Sequence, residues 1–435
     1  MVIKTANPLD DKFIIKAINK KLSENHRLQR LQDYYEGRQD ISLRVQSDRD
    51  KPNNKITVNY CKDIADFLTS YLVGVPVKYE APQIILDNLN YNDNDDVTQE
   101  IVLNMNIHGF GAELFYTDAE GIARFTSIDP REAIFVTNDT LEELIVAFIR
   151  VYPKIDEGEG YNVTVYTDEQ IAEYALSMSV GELKATGEAM PHFFGDVPAI
   201  LYANNKEYIG AFEGVMTLQD ALNQLMSDTL NDWEAFVDAY LVLTGLQATQ
   251  ADDIAKMKKD RILLMDGEAK AEWLIKNVNN DHVKELKDSL TRKIRDLGSV
   301  PDLEQLGSFG ASGVALRFKL LKSEICASKQ ERVVYKGIQR KLELLYNILR
   351  IIDPKMGNYT DVKISFERNF VMLNDDKLNN MKADLKLVTT GLMSRERFLI
   401  KYEDMTSEEV IEELKKVTTE NRERGGGSPE TIMPK

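Results

Sequence analysis

The sequence predicts an α+β fold built on long helices, and three observations carry that reading. Between Gly111 and about Phe194, short β-type runs alternate with turn residues. On either side of that block, apolar residues recur at three- and four-residue spacing over stretches too long for strands. From Ser312 to about Ile352 a helical pattern runs without a break to Asp353-Pro354, which at 1.5 Å per residue is a rod of about 60 Å.

Taken in order, residues 11–36 read as a helix carrying Phe13, Ile14, Ala17, Ile18, Leu22, Leu28, Leu31 and Tyr35, stopped by Gly37. A polar loop through Asp50, Pro52 and Asn54 follows. Residues 55–72 read as a second helix, broken by Gly74-Val75-Pro76 ahead of a short strand at 77–80. Runs at 113–116, 123–126, 133–136, 145–151 and 163–166, separated by turn residues, predict an antiparallel sheet. Residues 208–240 read as a long helix with Leu222, Met226, Leu230, Trp233, Val237 and Tyr240 on one stripe. Lys206 and Lys256 bracket a stretch with nine acids and no Lys or Arg, so that helix's polar face is purely anionic.

A small knob follows, with strands at 241–245, 261–265 and 271–275 that are expected to pair between neighbouring subunits, because so small a segment has little interior of its own. A helix from about Asp281 places Val283, Leu286, Leu290, Ile294 and Leu297 on one face, with Gly298 and Pro301 as stop signals. Residues 302–313 form a glycine-rich loop, and Ser312 caps the rod. The rod carries nine bases against three acids. A strand at 362–366, helices at 375–390, after Ser394 and after Thr406, and a disordered tail from Arg424 complete the chain.

With 435 residues the chain has room for two to four domains of about 100–200 residues each. Its net charge of −17 disfavours a protein that coats nucleic acid tightly. No apolar run approaches the ~20 residues of a membrane span, and the opening residues lack a secretory pattern, so residence in the cytosol is expected. Cys61 and Cys326 stand far apart, as buried or half-buried thiols rather than a disulfide framework or zinc site. The four histidines, 26, 108, 192 and 282, have no ligand spacing. Gly307 to Gly313 lacks the Lys and Ser or Thr of a phosphate loop, and Gly109-Phe110-Gly111 reads as a helix-to-strand turn rather than a dinucleotide fingerprint. No nucleophile elbow or acid/base pair stands out, so no catalytic residue, metal or cofactor is assigned.

Several segments taken together are more specific. Tyr34-Tyr35-Glu36-Gly37-Arg38-Gln39-Asp40-Ile41, Asn53-Asn54-Lys55-Ile56-Thr57-Val58-Asn59 and Tyr71-Leu72-Val73-Gly74-Val75-Pro76-Val77 are followed by Ile128-Asp129-Pro130, Phe194-Gly195-Asp196-Val197-Pro198, Asn204-Asn205, Ser299-Val300-Pro301-Asp302, Ser312-Gly313-Val314-Ala315-Leu316 and Phe366 with Arg368-Asn369. In this order, over nearly the whole chain, they resemble the tailed-phage portal proteins of the SPP1-like family.

That resemblance implies a non-enzymatic ring, a dodecamer in the family, at one capsid vertex of the virion, assembled in the host cytoplasm. Through it terminase packages double-stranded DNA without sequence specificity, and DNA is later ejected. It implies a wing at 1–207, stem helices at 208–240 and 281–298, a clip at 241–280, a tunnel loop at 299–312, the wing's long helix and strand at 313–374, a crown at 375–422 and a tail at 423–435. Gln305, Gly307, Ser308, Phe309, Gly310 and Ser312 then face DNA from the tunnel loop, Phe309 alternatively being a packed core aromatic. Asp220, Asp228 and Asp232 line the channel from the stem. Asp252, Asp253, Lys256, Lys258 and Lys259 form the clip that meets the terminase large subunit and the head-tail connector. Major capsid and scaffolding proteins are further implied partners, and a non-conducting oligomeric scaffold or adaptor of the particle is the alternative reading.

Overall fold

The computed structural model describes residues 1–5, 10–46, 51–154, 160–177, 181–237, 240–244, 270–274, 280–302, 313–368, 374–402, 410 and 413–417. The chain divides into two units, residues 1–308 with 319–369, and residues 309–318 with 370–435.

In the first unit, β1 (Val2–Thr5) precedes α1 (Asp11–Tyr35), whose first turn is capped by the Asp10 carboxylate accepting from the Phe13 N–H at 2.7 Å. A 3-10 turn (Asp40–Leu43) leads to α2 (Tyr60–Val73). This helix starts later than the sequence predicts, because Asn59 is its cap, accepting from the Lys62 N–H, and residues 54–58 are extended instead. After β2 (Lys78–Glu80) come α3 (Gln83–Tyr91) and α4 (Asn94–His108), two helices that the sequence reading leaves unassigned. Their asparagines are poor helix formers and mask the pattern, yet they are used. Asn88 and Asn92 donate to the Ala123 carbonyl, and Asn92 Oδ1 accepts from the Phe125 N–H, so these side chains occupy the outer edge of a strand.

Gly109 ends α4 with φ +86, and a Cβ there would lie 2.0 Å from the Tyr208 carbonyl oxygen, so the helix-to-strand turn expected at this position is one that only glycine fits. The strands are β3 (Phe110–Thr117), β4 (Ala123–Ile128), β5 (Ala133–Asn138), β6 (Ile145–Pro153), β7 (Tyr161–Tyr166), β8 (Gln170–Ser177), β9 (Glu182–Ala185), β10 (Met190–Pro191) and β11 (Ala199–Ala203). They make two sheets rather than one. A seven-stranded sheet runs β1-β5-β6-β7-β8-β10 with β9 also on β8, antiparallel except where β1 adds parallel to β5, and a three-stranded sheet runs β11-β3-β4.

Next come α5 (Met216–Val237), β12 (Tyr240–Thr244), β13 (Lys270–Leu274), α6 (Asn280–Leu297), α7 (Gly313–Ile352) and β14 (Lys363–Ser365), which pairs with β2. The predicted start of α5 at 208 is corrected to 216. Tyr208 takes φ +55, Gly210 packs against the Ile107 carbonyl, and a 3-10 turn covers Glu213–Val215. Of the strands expected between 241 and 275, β12 and β13 bond to each other inside the chain. The predicted strand at 261–265 lies outside the described residues.

Helix α7 has the predicted length, 40 residues. Ala327, Val334, Ile338, Leu342 and Leu345 are buried in the core that it shares with α4 and β3. Several of its bases answer acids of the same unit. Arg340 pairs with Asp196 at 2.6 Å, and Lys341, fully buried, pairs with the equally buried Glu113 of β3 at 2.8 Å. Lys341 also donates to Asn94 Oδ1 at 3.0 Å and sits 4.4 Å from the centre of the Phe125 ring. The Tyr202 hydroxyl donates to the other oxygen of Glu113 at 2.6 Å. One buried carboxylate thereby joins the long helix to two strands. Cys61 is buried and Cys326 half-buried, as expected, and burial pushes the Cys61 thiol up to about 12. His108 is buried at the end of α4, where desolvation holds its imidazole down to about 3 and therefore uncharged.

In the second unit, α8 (Asn374–Thr389) ends before Gly391, which takes φ +76, and α9 (Arg395–Tyr402) starts at Ser394, whose hydroxyl accepts from the Arg397 N–H at 3.1 Å. Residues 413–417 are helical. Thr406, after which the sequence predicts the last helix, and the tail lie outside the described residues.

Candidate functional site

The positions that the sequence assigns to a stem helix are organised by a strap. Residues 54–58 and Tyr60, the first residue of α2, run along α5, and alternate backbone N–H groups among them are taken one by one by α5 side chains. Tyr60 donates to Gln219 Oε1 at 3.3 Å, Val58 to Asn223 Oδ1 at 2.9 Å, Ile56 to Ser227 Oγ at 2.9 Å and Asn54 to Asn231 Oδ1 at 2.7 Å. The acceptors fall every fourth residue of the helix and the donors every second residue of the strap. Four helical residues rise about 6.0 Å and two extended ones about 6.6 Å, so the two periods nearly match. Gln219 also donates back to the Val58 carbonyl, and Asn223 to Gln39 Oε1. Gln219, Asn223 and Ser227 are all buried.

Asn223→Ala removes an acceptor from the half-buried Val58 N–H and a donor from Gln39. A loss of about 1–3 kcal/mol in unfolding free energy is expected, read in a urea melt. A change below ~0.5 kcal/mol would mean that water replaces the rung at no cost.

The sequence-assigned acids of α5 lie beside this strap. Asp220 accepts from the Tyr34 hydroxyl at 2.7 Å, and burial raises its carboxyl above the usual range. Asp228 pairs with Arg44 at 2.6 Å. Glu213, at the start of the stem, forms two bonds with Arg27, at 2.7 and 2.5 Å. The helix is anionic as predicted, and part of that charge is met by arginines from α1 and the 3-10 turn. Asp232 lies one turn beyond Asp228, half-buried.

Sequence reasoning missed the strap by reading it as helix. Its signal was present in the alternation of Ile56 and Val58 with Lys55 and Thr57, a period of two, followed by Asn59 as a helix cap.

At the C-terminal end of α6, Gly298 N–H bonds to the Ile294 carbonyl and the Val300 N–H to Arg295, closing the helix around Ser299 at φ +59. Gly298 itself is tight against Ile64, where a Cβ would lie 2.5 Å from Cδ1. Beside this turn is a groove of about 390 Å³ bordered by Arg292, Arg295, Lys319 and Lys322 together with Asp296 and Asp302. Arg295 pairs with Asp302 at 2.7 Å, and Lys322 donates to the Asp296 carbonyl at 2.9 Å. The loop positions Gln305, Gly307, Ser308, Phe309, Gly310 and Ser312, and the clip positions Asp252, Asp253, Lys256, Lys258 and Lys259, lie outside the described residues.

Comparison with known proteins bears on the whole arrangement. The chain is 23% identical over 423 residues to the portal protein of Bacillus phage SPP1, covering 91% of this chain and 81% of that one. Among solved structures it is similar to a chain of the virion of a native gene transfer agent particle, with a TM-score of 0.43 and 12% identity over 79% of this chain and 89% of that chain. The neck of an empty gene transfer agent particle gives a TM-score of 0.42 and 12% identity, over 79% and 88%. The sequence profile of one family matches residues 14–425, from the first turn of α1 to the last described helical residues and beyond, and the chain therefore belongs to the SPP1 Gp6-like phage portal proteins.

Proposed function

We propose that this chain assembles into a ring at one vertex of a phage-type particle and conducts double-stranded DNA inward during packaging and outward at ejection. The observation that carries the reading is the family match over nearly the whole chain, with the long helix, the paired stem helices and the intervening glycine-rich segment in one order. In this reading the segment 299–312 is a tunnel loop whose Gln305, Gly307, Ser308, Phe309, Gly310 and Ser312 touch the phosphate backbone and carry no sequence information. The anionic face of α5, with Asp220, Asp228 and Asp232, borders the channel and keeps the duplex from adhering to its wall. The segment 241–280, with Asp252, Asp253, Lys256, Lys258 and Lys259, docks the terminase large subunit and later the head-tail connector. Capsid and scaffolding proteins surround the wing, and the ring resides in the particle.

The test is packaging by proheads assembled with variant rings and active terminase. Gly310→Pro is expected to leave rings and terminase docking intact and to lower packaged DNA at least tenfold. Asp232→Lys is expected to slow translocation in a salt-sensitive way. Normal packaging by both variants would show that neither region faces DNA. A closed ring without a duplex-wide lumen would return the reading to a non-conducting scaffold.

A further inference from the structure

Helix α5 carries two features on opposite faces. Its apolar stripe is buried at Leu222, half-buried at Met226, and then emerges, with Leu230 38% and Trp233 63% exposed. At about 100° per residue the opposite side is centred on Gln224 and Asp228, with Ala221, Asp232 and Leu225 along one flank. There α5 and α6 enclose a groove of about 540 Å³ whose apolar lining includes Leu225, Val283 and Leu286, the last 51% exposed. The molecule thus presents an uncovered aromatic knob on one side of the helix and an uncovered apolar groove on the other.

We propose that the groove receives Trp233 and Leu230 of a second copy of this chain, which rests on the ring reading above and names the contact that would close the ring. The complementarity has three parts. The volume lies within the range of ligand-sized clefts and accommodates an indole with a leucine. Indole carries one N–H donor and no acceptor, and the groove's lining includes the Asp220, Asp228 and Asp232 carboxylates, which accept and do not donate. Asp228 already pairs with Arg44 at 2.6 Å, so an uncharged occupant such as an indole leaves that pair in place. A knob and a groove on opposite faces form a head-to-tail contact, which propagates from copy to copy instead of stopping at a dimer and makes a ring where the rotation between copies closes. Tryptophan buried in such a pocket is also the residue type that most often dominates an interface.

The experiment is mass photometry of the full chain over a concentration series. Rings are expected for the unaltered protein. Trp233→Ala on the knob side and Leu225→Lys on the groove side are each expected to raise the half-assembly concentration at least tenfold, with far-UV circular dichroism unchanged. Leu141→Ala, at a fully exposed position elsewhere, is expected to leave assembly as it was. A second measurement covers a variant that fails to fold. The chain has two tryptophans, so in a Trp273→Phe protein the emission comes from Trp233 alone, and it is expected to shift to the blue when rings form. Unshifted emission, or rings that survive both substitutions unchanged, would overturn this contact while leaving the portal reading in place. Unaltered protein that stays monomeric at every concentration would overturn the ring reading, and the contact with it.

Discussion

Lys341→Met is expected to cost about 3–5 kcal/mol of folding free energy, although Met nearly preserves the volume of the side chain that it replaces. The reason is the site that it leaves behind. Glu113 is fully buried in β3, and its oxygens are met by the Lys341 ammonium at 2.8 Å and the Tyr202 hydroxyl at 2.6 Å. Without the ammonium, the carboxylate must either stay charged with a single donor or take up a proton, and both are costly in a site that excludes water. Packing against Phe125 survives in the Met variant, so the charge and not the volume is tested. Adding Glu113→Gln to Lys341→Met is expected to recover most of the loss, because a neutral amide can accept from Tyr202 without a buried charge. Denaturant melts of the single and double variants read this directly. A loss below ~1 kcal/mol for Lys341→Met would show that the pair does not hold α7 to the sheet.

Gly337→Ala is the second large effect, and its sign runs against helix propensity. At an open helical position the change to Ala stabilises by about 1 kcal/mol. Here a Cβ would lie 2.0 Å from Tyr202 Cε1, an overlap that the ring must relieve by moving. Tyr202 is 1% exposed, and its hydroxyl is tied to Glu113, so the movement would break that bond or push the strand away from the helix. Overpacking of this kind costs about 1–3 kcal/mol and occasionally more, which exceeds the propensity gain. A net loss of ~2 kcal/mol is expected in the same melts. Because both positions act on Tyr202, Gly337→Ala combined with Lys341→Met is expected to cost less than the sum of the two separate losses. Additive losses would place the two effects in independent sites.

Much of this was legible in the sequence because long periodic segments announce themselves. The rod at 313–352, the helix at 280–297 and the strands of the sheet region between β3 and β7 were each visible as a sustained pattern. The helices α3 and α4 were not, because their asparagines lower helix propensity while serving as hydrogen-bonding edges for β4, a tertiary use that no local rule records. β1 and β11 are short runs whose partners are distant in sequence, so their pairing is settled only when the sheets form. On α5 the anionic character was legible but its engagement was not. Nothing in the spacing of Asp220 or Asp228 names Tyr34 or Arg44, each more than 180 residues away. Sequence marks the charge, and the fold selects its partner.

The strap on α5 also fixes how this helix responds to its surroundings. Its four acceptors are Gln219, Asn223, Ser227 and Asn231, none of which ionises, whereas the neighbouring contacts of Glu213 with Arg27 and Asp228 with Arg44 are ion pairs at partly exposed sites. Salt weakens the second kind and leaves the first almost untouched. The near match of the two periods adds a further restriction. A strap displaced by one residue turns its donors away from the helix, and the next workable register lies a whole helical turn along, about 6 Å distant. The joint therefore has discrete settings with nothing stable between them, and its setting is indifferent to ionic strength, which suits the place proposed for α5 beside a polyanion and its changing cloud of counterions.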